Sequence, residues 1–221
     1  MSLKKSDIQL KVKDRSAKAY LAAPEKGGPG VLLLHAWWGL KPFFKQVSDQ
    51  LAEQGFTVLA PDYYQGRVAG TIDEAKAMLG DRDAGLMNDT VKAATDYLKL
   101  QNPGKPIGTL GFSMGAAYGL EVAANEPHVA AAVMFYGVGE ADYSQVKAII
   151  LGHFSDADEW EPLDGVRAME ADMKGAGVDV TLYVYPKVSH WFVEQDRPEY
   201  DPAAADLAWK RTFEFLKKNL T

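Results

Sequence analysis

Cysteine is missing from all 221 residues, and this single absence removes a good deal of chemistry. Disulfides, thiolate metal sites and a cysteine nucleophile are all excluded. Positive charge is also scarce: 24 lysines and arginines face 30 aspartates and glutamates, leaving a formal net charge of -6. That balance favours solubility and argues against a nucleic acid or an anionic membrane surface as partner. Long hydrophobic runs are lacking too. The longest, Val129 to Tyr136, has the length of a buried strand and falls far short of a membrane span. Met1-Ser2-Leu3-Lys4-Lys5 opens the chain without the apolar segment of a secretory signal, so the expected compartment is the cytoplasm. The sequence holds no repeat, linker or low-complexity block, and one domain over 1–221 is expected.

What is present is an alternation of short apolar runs with helical patterns. Ile8 to Lys13 and Ala17 to Leu21 alternate apolar and polar residues, the pattern of a half-exposed antiparallel edge pair. Val31 to Leu34 is continuously apolar, as a strand covered on both faces should be. Phe44, Val47 and Leu51 follow at helical spacing, and Phe56 to Ala60 reads as the next strand. Asn88 or Asp89 is placed to cap a helix carrying Val91, Ala94 and Leu98. Further strands are expected at Ala130 to Tyr136, Ala148 to Leu151 and Val180 to Tyr185, with a helix from Pro162 to Gly175 before the last. A terminal helix carries Trp209, Phe213, Leu216 and Leu220 on one stripe, with Lys217 and Lys218 in its last turn. The sum is an α/β fold: a mostly parallel central sheet with an antiparallel N-terminal edge and helices on both faces.

Within that pattern, Gly111-Phe112-Ser113-Met114-Gly115 falls between a strand and a helix. Such a G-x-S-x-G turn lifts a serine hydroxyl clear of the backbone, in strained torsions that leave no room for bulk two positions away on either side. It places Ser113 as nucleophile of an α/β-hydrolase fold, at the carboxyl end of a strand where active sites of such sheets lie.

A serine hydroxyl needs a general base, oriented by an acid. Of His35, His128, His153 and His190, the last sits between the final strand and the terminal helix, where this fold keeps its base. His153 is the main rival, His128 reads as solvated, and His35 as a structural hydrogen-bonding residue. The acid should lie between serine and histidine in chain order. Ser155 to Pro162 offers Asp156, Asp158, Glu159 and Glu161, among which composition does not choose, and it lacks the regular spacing of a metal site. Two backbone amides are expected to hold an oxyanion: Met114, just after the serine, and Trp37, in the loop after Val31 to Leu34.

Taken together, these residues resemble the dienelactone hydrolase family of α/β hydrolases. The resemblance is carried by His35-Ala36-Trp37-Trp38-Gly39-Leu40, Ala60-Pro61-Asp62-Tyr63-Tyr64, the Ser113 turn, Phe135-Tyr136-Gly137 and an Asp-x-x-x-Pro loop. It continues through Ser189-His190-Trp191-Phe192 and Arg197 to Asp201, into the helix bearing Ala208-Trp209. It implies that the acid is Asp158, four residues before Pro162. The family is similar in using a cysteine nucleophile and a glutamate second in the His35 loop, whereas Ser113 and Ala36 stand here. The two departures agree, since serine is deprotonated during attack and needs no standing anion partner.

The resemblance therefore implies a serine-dependent hydrolase of a small carboxylic ester or lactone, working through an acyl-enzyme without metal or organic cofactor. A peptidase or acyl-aminoacyl hydrolase on the same fold is the rival within enzymes, and a non-catalytic small-molecule-binding homologue the rival outside them. Ala36, Trp38, Tyr64, Tyr136, Trp160 and Trp191 are candidate substrate contacts. Arg82 and Arg197 are candidate holders of a substrate carboxylate. A monomer or small homo-oligomer is expected.

Overall fold

Strict alternation at the N-terminus builds a long hairpin. β1 (Leu3–Val12) and β2 (Arg15–Pro24) pair antiparallel from Leu3↔Pro24 to Val12↔Arg15, with Lys13 turning the corner at a φ of 55°. The structure is a computed structural model and describes residues 2–221. The chain forms two compact units, Met1–Ile107 and Gly108–Thr221.

In the first unit the strand order is β1-β2-β4-β3. β3 (Gly30–Leu34) runs parallel to β4 (Thr57–Pro61), and β4 pairs antiparallel with β2. Every residue of β3 and β4 is buried, which is why both read as unbroken apolar runs. α1 (Pro42–Glu53) buries Phe44, Val47 and Leu51 against β2 and β4, and α3 (Ala84–Gln101) packs on β1, β3 and β4.

Two local expectations change here. α3 is capped by Asp83, whose side chain accepts from the Leu86 amide at 2.8 Å, and not by Asn88 or Asp89. Met87 already belongs to the buried stripe with Val91, Ala94 and Leu98, so the helix must start a turn earlier. α2 (Ile72–Gly80) escaped the apolar pattern because it buries only Ala75 and Met78. Its signal is polar: Thr71 and Glu74 form a reciprocal capping box.

The second unit orders its strands β5-β6-β7-β8. These are β5 (Ile107–Phe112), β6 (Val129–Phe135), β7 (Ile149–Ser155) and β8 (Val180–Tyr185), with β7 parallel to both β6 and β8. α4 (Met114–Asn125) packs on β6, α5 (Leu163–Gly175) on β7 and β8, and α6 (Pro202–Leu220) on β6 and β7. β7 runs past the expected Leu151 to Ser155, because burial continues unbroken to that residue. The buried face of α6 is also rotated from the expected stripe. Ala205, Ala208, Thr212, Leu216 and Leu220 are buried, while Trp209 and Phe213 flank them half-buried. Small residues on the inner face let the helix approach the sheet closely, and the large rings fill the margin.

Candidate active site

Each strand of the second unit ends at a residue or loop of interest. β5 runs into Ser113, β6 into Tyr136, β7 into the Asp156–Glu161 loop and β8 into the loop holding His190. The carboxyl ends of such strands are where α/β sheets place ligands.

Ser113 stands between β5 and α4 at φ 51° and ψ -119°, a conformation that side chains rarely adopt. Its surroundings hold it there. The Ser113 N–H donates to the Phe135 carbonyl at 2.9 Å, and its own carbonyl accepts from the Ala116 amide at 2.8 Å. Two glycines make the close approach possible. A Cβ on Gly111 would lie 2.2 Å from the Gly115 carbonyl oxygen, and one on Gly137 would lie 2.2 Å from that of Ser113.

The His190 ring bridges Ser113 and Asp158. Its Nε2 is 3.1 Å from Ser113 Oγ and its Nδ1 is 2.7 Å from Asp158 Oδ2. A carboxylate oxygen facing Nδ1 calls for a proton on that nitrogen, which leaves Nε2 to accept from the serine hydroxyl. The His190 and Asp158 side chains are 3% and 1% exposed, so this pair lies largely out of water. The second oxygen of Asp158 accepts from the Trp160 and Glu161 amides at 2.8 and 2.9 Å.

The other carboxylates of the loop lie elsewhere. Asp156 accepts from the Lys187 amide at 2.7 Å, tying the loop after β7 to the loop after β8. Glu159 is exposed. Glu161 is half-buried; burial raises its carboxyl above the usual range, the Val138 amide and His190 oppose the rise, and Asp158 adds to it.

The remaining histidines are not near Ser113 Oγ by hydrogen bond. His153 is buried within β7, with Nδ1 on the Tyr185 hydroxyl at 2.9 Å and Nε2 on Thr212 Oγ1 at 3.0 Å. Burial, with the Arg211 charge beside it, pushes its pKa down to about 3. His35, in the first unit, donates from Nδ1 to the Ala36 carbonyl at 2.7 Å and stacks on Tyr63. Burial drives it to about 3 as well. His128 is exposed.

Three candidate aromatic contacts gather on His190. Tyr136 packs at 4.7 Å between ring centroids, Trp191 edge-on at 4.9 Å and Trp160 at 6.5 Å. Glu159, Trp160, Ser189, His190, Trp191 and Glu199 line a cavity of about 190 Å³. Tyr136 has no exposed surface, and its hydroxyl donates to Glu194 at 2.9 Å. Ala36, Trp38 and Tyr64 lie buried in the first unit, while Trp37, in the loop after β3, is half-buried. Met114 is the first residue of α4, where the helix N-terminus favours negative charge. Arg197 pairs with Glu199 at 3.2 Å and lies over the Trp191 ring, and Arg82 donates to the Leu79 carbonyl at the end of α2.

Sequence reasoning missed Glu194, a fully buried carboxylate four residues after His190. The available signal was a lone charge closing the apolar run Trp191-Phe192-Val193. Among the described residues no group of three or more potential ligands is arranged to hold a metal ion. No helix among them is long and apolar enough to cross a membrane.

The sequence model of the dienelactone hydrolase family matches residues 17–220. Protein usf of Aquifex pyrophilus is 35% identical over 218 residues, covering 92% of this chain and 94% of its own length. A mouse carboxymethylenebutenolidase homologue is 28% identical over 195 residues, covering 84% of this chain and 80% of its own. Among solved structures, a dienelactone hydrolase-like promiscuous phosphotriesterase from metagenomic libraries superposes with a TM-score of 0.88 at 19% identity, over the full length of both chains. The fold of this chain is accordingly the α/β-hydrolase fold.

Proposed function

Because the chain belongs to the dienelactone hydrolase family, α/β hydrolases that cleave carboxylic esters, we propose that it hydrolyses a small ester or lactone with Ser113 as nucleophile. The observation that supports this reading is the Ser113–His190–Asp158 array, with heavy-atom separations of 3.1 and 2.7 Å. Both lie within the reach that proton transfer requires.

In the proposed reaction Ser113 Oγ adds to the carbonyl carbon while its proton passes to His190 Nε2. Asp158 holds the ring in the tautomer that can accept this proton, and its charge stabilises the imidazolium. The carbonyl electron pair moves onto oxygen, facing the Met114 amide at the start of α4. Collapse breaks the bond to the alcohol oxygen, which takes the proton from His190, and an acyl-Ser113 ester remains. Water then gives a proton to His190 and adds to the ester. The second collapse releases the acid and returns the proton to Ser113. With serine as nucleophile, no carboxylate is required at position 36, where Ala36 is buried.

Intact-protein mass after a fluorophosphonate probe, followed by peptide mapping, tests the reading. Stoichiometric labelling of Ser113, abolished in Ser113→Ala and sharply slowed in His190→Ala, is expected. A folded protein that takes no adduct would overturn it.

A further inference from the structure

Two consecutive residues at the end of β6 reach both Ser113 and His190. The Phe135 carbonyl accepts the Ser113 amide at 2.9 Å, and the ring of Tyr136 packs against the imidazole at 4.7 Å. Tyr136 takes a φ of 39°, a left-handed torsion that bulky side chains rarely adopt. Its amide donates to the His153 carbonyl at 2.8 Å, which helps hold the torsion. The strain thus sits at the junction between nucleophile and base.

The far end of Tyr136 is also held. Its hydroxyl donates to Glu194 Oε1 at 2.9 Å, and neither residue has exposed surface. Glu194 belongs to the His190 loop and is folded back by a turn in which its amide donates to the Trp191 carbonyl at 2.8 Å. Trp191 carries a second strained torsion, φ 63°. The Tyr136 ring also meets Phe192 edge-on at 5.8 Å. Burying a carboxylate is costly unless donors and charges compensate it, so packing alone does not account for one here.

We infer that Tyr136 and Glu194 are positioning residues for His190: the phenol–carboxylate hydrogen bond locks the Tyr136 ring, and the ring fixes the plane of the imidazole between Ser113 and Asp158. The inference rests on the proposed roles of Ser113 and His190. Transition states are sensitive to misorientations of about 10–20° in a catalytic group, which a loosened ring would permit. Several carboxylates lie in the elements around His190 and Tyr136. Asp158 and Glu161 stand on the acid loop, Glu194 and Asp196 behind Tyr136, and Glu159 and Glu199 at the cavity.

The test is kcat and KM against pH for a small neutral aryl acetate, together with the rate of Ser113 phosphonylation. Tyr136→Phe keeps the ring and removes the donor. Its kcat and its phosphonylation rate should fall together by about tenfold, with KM within about twofold. Glu194→Gln keeps an acceptor for the phenol but removes a negative charge. Its kcat should fall less than that of Tyr136→Phe, because the phenol keeps an acceptor. A packing role alone would lower thermal stability and leave kcat and the phosphonylation rate in place. A folded Tyr136→Phe with wild-type kcat and phosphonylation overturns the inference, and it decides alone should Glu194→Gln not fold. If the wild type shows no Ser113-dependent turnover, the underlying reading fails and takes this inference with it.

Discussion

Asp158 divides its carboxylate between His190 and its own loop: Oδ2 faces His190 Nδ1 at 2.7 Å, while Oδ1 accepts two backbone amides. The loop therefore sets the carboxylate before the ring meets it. Asp158→Asn should keep the loop bonds but lose the charge that favours the reactive tautomer. A drop in kcat on the order of a thousandfold or more is expected, with KM little changed. Asp156→Asn, at the Lys187 amide, should cost less than about tenfold in kcat. Steady-state kinetics on one ester compares the two, and equal losses would contradict the assignment.

The cavity beside His190 is lined by two carboxylates, Glu159 and Glu199, with Arg197 paired to the second. A substrate carboxylate entering there meets like charge. A neutral ester should exceed its carboxylate-bearing isostere by about fivefold in kcat/KM at low salt. Raising ionic strength should narrow that gap, and so should Glu159→Gln. A preference for the anionic ester would refute the prediction.

Glycine at 137 is required by space, because a Cβ there would fall 2.2 Å from the Ser113 carbonyl oxygen. Gly137→Ala should lose about 1–3 kcal/mol of stability and slow Ser113 labelling. Gly165 is the control: it lies in α5, is exposed, and a Cβ there would meet nothing within 4 Å. Gly165→Ala should stabilise by about 0.5–1 kcal/mol, since alanine is the better helix former. Chemical denaturation of both variants reads the contrast directly.

His35 and His153 should make stability pH-dependent. Both are held neutral in the folded state with pKa values near 3, against an ordinary value of 6.5 when unfolded. Below 6.5 the unfolded chain binds protons that the folded chain refuses, so stability falls as pH drops from there toward 3. As pH rises past 6.5 the slope from both histidines fades to nothing, because the unfolded chain loses those protons too. At pH 5 each should have cost ~2 kcal/mol. Urea midpoints between pH 7.5 and 5 should decline less steeply in His153→Gln than in the wild type. Parallel curves would count against the buried neutral histidine.

Much of this was legible because it is local in the chain. The Ser113 turn is a steric requirement satisfied within five residues, and unbroken apolar runs marked β3 and β4 because both strands are buried on both faces. Elements with thin apolar faces were harder to read. α2 buries two side chains, and the start of α3 depended on whether Met87 faced inward, which periodicity near a helix end does not decide.

By itself, then, the sequence determined the order of the strands and of every α-helix but α2, the place of Ser113 on a strained turn, and the position of His190 after the last strand. Its local pattern left four carboxylates equivalent, because acidic residues in one loop differ only in which way the backbone aims them, and only the family resemblance pointed to Asp158. Tertiary structure brings Asp158, and none of the other three, into hydrogen-bond contact with His190: the Ser113–His190 contact spans 77 positions, His190–Asp158 spans 32, and Tyr136–Glu194 spans 58. Contacts at such separations depend on how β5 to β8 line up and where their loops leave the sheet. No local pattern carries that register. The same reason kept His153 open as a base until its ring was seen bound on both nitrogens, to Tyr185 and Thr212, inside the unit.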